Sequence, residues 1–158
     1  MHLKILANAS RKEDGLLDIA GFPPASFDRI LLDPPCSALG LRPKLAIRLK
    51  AKELVKTAEY QRIFLQQAVK LLKPGGIMTY STCTINALEN EGNVAYVLQE
   101  YGDCMSLLPL PADGLGHAGL EGHGLVEKQR LCVKRFDPSD EQDNCMGFFV
   151  AKFQKNLI

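Results

Sequence analysis

A chain of 158 residues is sized for one domain, and its 46% hydrophobic and 23% charged content excludes a disordered chain. With 19 Lys and Arg against 18 Asp and Glu the net charge is +1, so a nucleic-acid surface has to come from local clustering. No apolar run approaches the roughly 20 residues of a membrane helix, and Met1-His2-Leu3-Lys4 opens no signal-peptide core. An intracellular location is expected. The five cysteines form no CxxC pair and read as free thiols.

Residues 1–26 carry weak signals: a short helical or extended piece at 3–7, a polar loop at 11–15 and a turn at 21–24. Ile30-Leu31-Leu32-Asp33 is a short apolar run closed by an acid and two prolines, which predicts a buried strand over 29–33. Residues 34–50 read as loop. A long helix is expected over 51–73, with Leu54, Ala58, Leu65, Ala68, Val69 and Leu72 on one face and a polar turn between Ala58 and Leu65. Lys73-Pro74-Gly75-Gly76 stops it, and residues 77–81 form the next strand. Strand, helix and strand make a βαβ crossover with parallel pairing. A second helix is expected over 87–101, begun by Asn86 with Glu89 in a capping-box position. A short strand at 104–107, a long Gly- and Pro-rich loop at 108–124 and a final strand at 147–153 follow. The class is α/β with a doubly wound, mostly parallel sheet.

Gly114-Leu115-Gly116-His117-Ala118-Gly119 spells G-x-G-x-x-G. Prolines precede it and glycines follow it, whereas a dinucleotide loop needs a strand before and a helix after. His2, His117 and His123 have no cysteine at metal-ligand spacing and read as surface residues, with no metal site.

Asp33-Pro34-Pro35-Cys36-Ser37 is more informative. It ends a parallel strand, where open α/β sheets place their ligands. The plain alternative is a rigid turn with Cys36 as a small buried hydrophobe. Ser81-Thr82-Cys83-Thr84 ends the other strand of the same unit, so Cys36 and Cys83 are expected in one crevice with Asp33. A thiolate is a strong nucleophile, and a helix N-terminus nearby lowers its pKa. Between the two strings Arg42, Lys44, Arg48, Lys50 and Lys52 cluster with no acid from Pro34 to Lys52. Such a stretch can line a phosphate backbone or simply form a solvated face.

These strings resemble the Nop/Sun-type (RsmB-like) RNA cytosine-5 methyltransferases, near the subgroup that modifies tRNA and mRNA and carries a PUA domain. The resemblance runs over about 27–153. It rests on Asp33-Pro34-Pro35-Cys36-Ser37, Leu71-Leu72-Lys73-Pro74-Gly75-Gly76, Tyr80-Ser81-Thr82-Cys83-Thr84, Glu89-Asn90-Glu91, Arg135-Phe136-Asp137-Pro138 and Gly147-Phe148-Phe149-Val150-Ala151. It implies the carboxyl half of a Rossmann-like class I methyltransferase fold, S-adenosylmethionine as cofactor and tRNA or mRNA as partner. By resemblance Cys83 adds to C6 of a flipped cytosine, Cys36 assists breakdown of the adduct, Asp33 sits between cofactor and base as a third catalytic residue, and Asp33 and Pro34 contact the cofactor. Arg42, Lys44 and Arg48 are the candidate RNA contacts.

Residues 1–26 are then a leader outside the resemblance, and 27–158 a partial domain. The family's glycine-rich cofactor loop, acidic ribose contact and catalytic lysine have no counterpart in that leader, and no PUA-like domain is present. Ala38 stands where many members have glycine. Two other enzyme readings compete. Amino-group methyltransferases follow Asp-Pro-Pro with an aromatic, where this chain has Cys36; DNA cytosine-5 enzymes would make Cys36 the nucleophile. The non-enzyme alternative is an inactive remnant that binds RNA or a partner through an exposed sheet edge.

Overall fold

The computed structural model describes residues 22–42, 49–111, 114–141 and 144–157, with the backbone of 10–11 and 17–18. The expected piece at 3–7, Lys44 and Arg48 lie outside them. Two short strands, β1 (Ser10–Arg11) and β2 (Leu17–Asp18), pair antiparallel. The chain then builds β3 (Phe27–Leu32), α1 (Ala51–Leu71), β4 (Leu72–Thr82), α2 (Glu91–Tyr101), β5 (Met105–Leu108), α3 (Glu127–Arg130), β6 (Lys134–Phe136) and β7 (Phe148–Lys155).

β3 and β4 pair in parallel, as a βαβ unit requires. β7 pairs antiparallel with β4 along one edge, and with both β5 and β6 along the other. β5 meets residues 152–155 of β7 and β6 meets 148–150, so the two lie end to end as one interrupted strand. Residues 109–133 are an excursion from it. β3, β4, β5 and β6 therefore run one way and β7 the other; because β7 lies between them, only the β3–β4 pairing is parallel and the three made by β7 are antiparallel, so the sheet is mixed where a mostly parallel one was expected.

α1 starts where Glu53 reaches back to accept the Lys50 N–H at 2.7 Å. Its apolar stripe buries Phe64, Leu65, Ala68 and Val69 against Ile30, Leu32, Met78 and Tyr80 of the sheet, and Ala58 is buried as well. The helix gives way to β4 at Leu72, earlier than the Pro-Gly-Gly stop suggests. Leu72 already pairs with Phe27, and the Pro74–Gly76 irregularity is absorbed as a register shift between the strands. Gly75, at φ +75°, takes the left-handed conformation this needs.

α2 begins at Glu91, after a turn over 87–90, and not at Asn86. The turn leaves Asn90 free to donate its Nδ2 to the Thr84 carbonyl at 2.9 Å, while its Oδ1 accepts from Thr82 Oγ1 at 2.6 Å. Glu89 consequently does not cap the helix but turns inward. α3 and β6 were not foreseen from the sequence; each is too short for a period to show. Among the described residues no helix is long and apolar enough to cross a membrane.

Candidate active site

β3 and β4 end side by side, and the loops that leave them carry the two thiols to each other. Cys36 Sγ and Cys83 Sγ lie 3.1 Å apart, both half-buried. Neighbouring ties fix the two loops together. Ser37 Oγ meets Thr84 Oγ1 at 2.7 Å, and the Gly40 N–H donates to the Cys83 carbonyl at 3.1 Å. The Gly147 N–H then donates to the Gly40 carbonyl at 2.8 Å, bringing the segment before β7 onto the same loop. This approach explains Gly40: a Cβ there would lie 2.3 Å from the Gly147 carbonyl oxygen. Ala38 adopts φ +53°, a conformation that suits glycine and costs other residues about 1–2 kcal/mol.

Burial, and then the hydrogen bond to Cys83, push the Cys36 thiol up from 9.0 to about 12. At neutral pH Cys36 therefore rests as a neutral thiol, with its S–H available to the Cys83 sulfur.

Asp33 is exposed at the carboxyl end of β3, and Pro34 beside it is buried. Ser81 Oγ donates to Asp33 Oδ1 at a long 3.5 Å. The carboxylate thus keeps acceptor capacity for a ligand hydroxyl or ammonium group. Beside Cys83 opens an apolar recess of about 310 Å³, lined also by Phe136, Cys145, Met146, Gly147 and Phe148. Of the basic cluster, Arg42 is exposed and its guanidinium reaches the Cys145 carbonyl; Lys50 and Lys52 are exposed at the start of α1.

Beneath the thiols is a polar network absent from the sequence-based site. Gln61, Tyr80, Glu89 and Asn93 are all fully buried. The Glu89 carboxylate accepts from the Ser37 N–H (2.9 Å), Gln61 Nε2 (2.8 Å) and Asn86 Nδ2 (2.9 Å). The single Tyr80 proton goes to the Glu89 carbonyl at 2.6 Å, and Asn93 Nδ2 donates to Tyr80 and to Gln61 Oε1. Burial drives the Tyr80 phenol far above its ordinary range. Gln61 was visible in the sequence only as the polar turn in the α1 stripe. A buried glutamine where the period demands an apolar residue was the signal.

A second buried carboxylate, Glu91, pairs with Arg135 Nη1 at 3.0 and 3.1 Å and accepts the Leu120 N–H at 2.9 Å. Arg135 also donates to the Ile85 carbonyl. The pair fastens β6 and the 109–133 excursion to the first turn of α2. Gly114 to Gly119 lies within that excursion, where His117 bridges to Arg135 and no helix follows directly.

The model of the family described as 16S rRNA methyltransferase RsmB/F matches residues 2–154. The chain belongs to that family. It is 48% identical over 144 residues to the rRNA (cytosine-C(5))-methyltransferase NOP2C of Arabidopsis thaliana, covering 84% of this chain and 24% of that protein. It is 40% identical to the mouse tRNA (cytosine(72)-C(5))-methyltransferase NSUN6, covering 90% of this chain and 34% of that one. The crystal structure of NSun6 from Pyrococcus horikoshii with SFG superposes with a TM-score of 0.66 at 40% identity, over 80% of this chain and 29% of that one. This RsmB/F-family chain thus spans about a quarter to a third of the length of these relatives. Its sheet is the Rossmann-like arrangement expected of it.

Proposed function

We propose that the protein carrying this chain methylates C5 of cytosine in RNA, with Cys83 as the nucleophile. The observation that carries the reading is the 3.1 Å approach of Cys36 and Cys83 at the carboxyl ends of two parallel strands. Cytosine C5 is a weak nucleophile until a thiolate adds next to it. A base flipped out of its stack enters the apolar recess, with Phe136 and Phe148 in its wall. The Cys83 thiolate adds to C6, and the electron pair of the C5–C6 bond moves toward C5, which takes the methyl group. Solvent water then takes the C5 proton, the C5–H electron pair re-forms the C5–C6 double bond, and the C6–S pair leaves with the Cys83 sulfur. Cys36, neutral and within reach, offers its S–H to the departing Cys83 thiolate and so assists release.

S-adenosylmethionine fits the open side of the crevice, where Asp33 keeps an exposed acceptor and Pro34 stiffens the loop. When bound it supplies a methyl group activated on a sulfonium. A solved relative was determined with an S-adenosylmethionine analogue. Asp33 and Pro34 supply only part of such a seat, so the chain by itself should bind the cofactor weakly; micromolar affinity by calorimetric titration would overturn this.

The substrate we favour is tRNA, an intracellular RNA. The basic cluster from Arg42 to Lys52 is its phosphate contact, and binding should weaken steeply with salt. The mechanistic test uses the full-length protein that carries this chain. Cys83→Ala should abolish methyl transfer and covalent trapping. Cys36→Ala should accumulate a protein–RNA band on a denaturing gel. The reverse pattern would make Cys36 the nucleophile.

The second reading is an inactive chain that binds RNA or a partner. It draws on β3, which pairs with β4 along one edge and with no described strand along the other, beside a Leu31 that is 52% exposed. Indifference of the full-length protein to both cysteine substitutions, with RNA binding kept, would favour it.

A further inference from the structure

Cys36 is held by its two neighbours, and both are tied to the same buried pair of side chains. The Pro35 carbonyl, before it, accepts Gln61 Nε2 at 3.0 Å. The Ser37 N–H, after it, donates to Glu89 Oε2 at 2.9 Å. The second amide proton of Gln61 goes to that same Glu89 oxygen at 2.8 Å. We infer that Glu89, acting with Gln61, is the positioning residue that sets the Cys36 thiol against Cys83. As a role in methyl transfer this rests on the function proposed above; as a clamp on the thiol it does not.

Packing alone does not account for a glutamate here. Burying a carboxylate is costly unless its lone pairs are taken up. Among the described residues Glu89 meets no cation; its three partners are neutral N–H groups, and one belongs to the Cys36 loop. The charge also fixes Gln61. Were that amide reversed, its oxygen would face the Glu89 carboxylate and the Pro35 carbonyl, two acceptors. The carboxylate therefore decides which end of Gln61 faces Pro35. Pro34 and Pro35 have no N–H of their own to anchor the loop, so on this side it is held through the Pro35 carbonyl and the Ser37 N–H.

The same network reaches the Cys83 side. The Glu89 carbonyl accepts the Tyr80 hydroxyl of β4, and Thr84, next to Cys83, meets Ser37. Glu89 thus lies where the supports of both thiol loops converge, although it touches neither sulfur.

Glu89→Gln would set an NH2 group against the Ser37, Gln61 or Asn86 donors, leaving at least one unpaired. The test is alkylation of the native chain with iodoacetamide at about pH 8, with the rate at each cysteine resolved by peptide mass spectrometry. Cys104 and Cys132, half-buried and remote in sequence from both loops, serve as internal references. Glu89→Gln should raise the Cys36 rate at least about tenfold relative to those references, as the thiol leaves its buried seat. Gln61→Leu, which removes the Pro35 tie, should move the same ratio less. Glu91→Gln, equally buried, should leave it unchanged.

A Cys36 ratio within about twofold of the parent in both loop variants would overturn the inference. So would a proportional rise at all five cysteines, which signals general loosening. If Glu89→Gln does not fold, the Gln61→Leu ratio decides. In the full-length, methylating protein, Glu89→Gln should also accumulate the covalent band expected of Cys36→Ala, because the step made by Cys83 remains. Should the parent transfer no methyl group, the function fails while the alkylation ratio still tests the clamp.

Discussion

Glu89 and Glu91, separated by one residue and both fully buried, hold different regions by different physics. Glu89 supports the thiol loops through neutral donors only. Glu91 supports the 109–133 excursion and β6 through the Arg135 guanidinium, with the Leu120 N–H as second partner. At the N-terminus of α2 its charge is also favoured by the helix dipole. Losing a neutral partner at Glu89 chiefly shifts geometry, whereas losing the cation at Glu91 strands a charge. The thiol region should therefore fail first in reactivity, and the excursion first in stability.

The largest stability effect is expected from Arg135→Ala. Removing one member of a buried pair costs about 3–5 kcal/mol, since the other remains unpaired. Urea unfolding should show this loss, accompanied by faster proteolysis within 109–133. A loss below about 1 kcal/mol would mean that the ion pair is not what fastens the excursion.

Gly40→Ala tests the thiol side by overpacking. Its Cβ would press on the Gly147 carbonyl oxygen and break the Gly147–Gly40 hydrogen bond. A cost of about 1–3 kcal/mol is expected, with Cys83 more readily alkylated. Stability at the parent's level would show that the segment before β7 can shift freely, and that the loops are less tightly set than the Glu89 network implies.

A pH series separates the regions further, because the raised thiol belongs to the thiol loops. Unfolded, Cys36 ionises near 9.0; folded, it keeps its proton until about 12. Above pH 9 the unfolded state has lost a proton that the folded state retains, so stability should fall as pH rises toward 12. Tyr101, raised by burial from 10.0 to about 12, and Tyr80, raised further, add the same sign above pH 10. Cys36→Ala should flatten the first part of the fall, measured by urea midpoints across pH, while Arg135→Ala should leave the slope alone.

The smallest effect has the opposite sign. Gln67, two turns beyond Gln61 on α1, is also buried, but its Nε2 finds no partner. Gln67→Met should be neutral or stabilising by up to about 1 kcal/mol. Gln61→Met should destabilise, so the pair of unfolding curves measures what the network adds to a buried amide. A loss at Gln67 as large as at Gln61 would remove that distinction.

β3, α1 and β4 were legible because each is written locally. An apolar run closed by Pro-Pro, a helical stripe and a Pro-Gly-Gly break need no distant partner to be recognised. The thiols followed from that unit, since parallel strands open on one edge. Glu89 was misread for the same local reason. Three residues after Asn86 it matches a capping box, and Asn86 does donate to it, but side chain to side chain. Its decisive partners, Ser37 and Gln61, are distant in sequence. β6 escaped notice because three residues, two of them Lys134 and Arg135, show no apolar alternation; β7 makes them a strand by pairing with them.

What the sequence determined by itself was therefore the βαβ unit, the family resemblance and the presence of Cys36 and Cys83 at neighbouring strand ends. Only the tertiary structure decided that β7 runs antiparallel between β4 and the interrupted β5–β6 strand, that the two sulfurs approach to 3.1 Å, and that Glu89 faces inward. The division has a physical cause. Periodicity and turn chemistry are set by residues a few positions apart, whereas strand order and the partners of a buried polar group exist only once the sheet has closed around them.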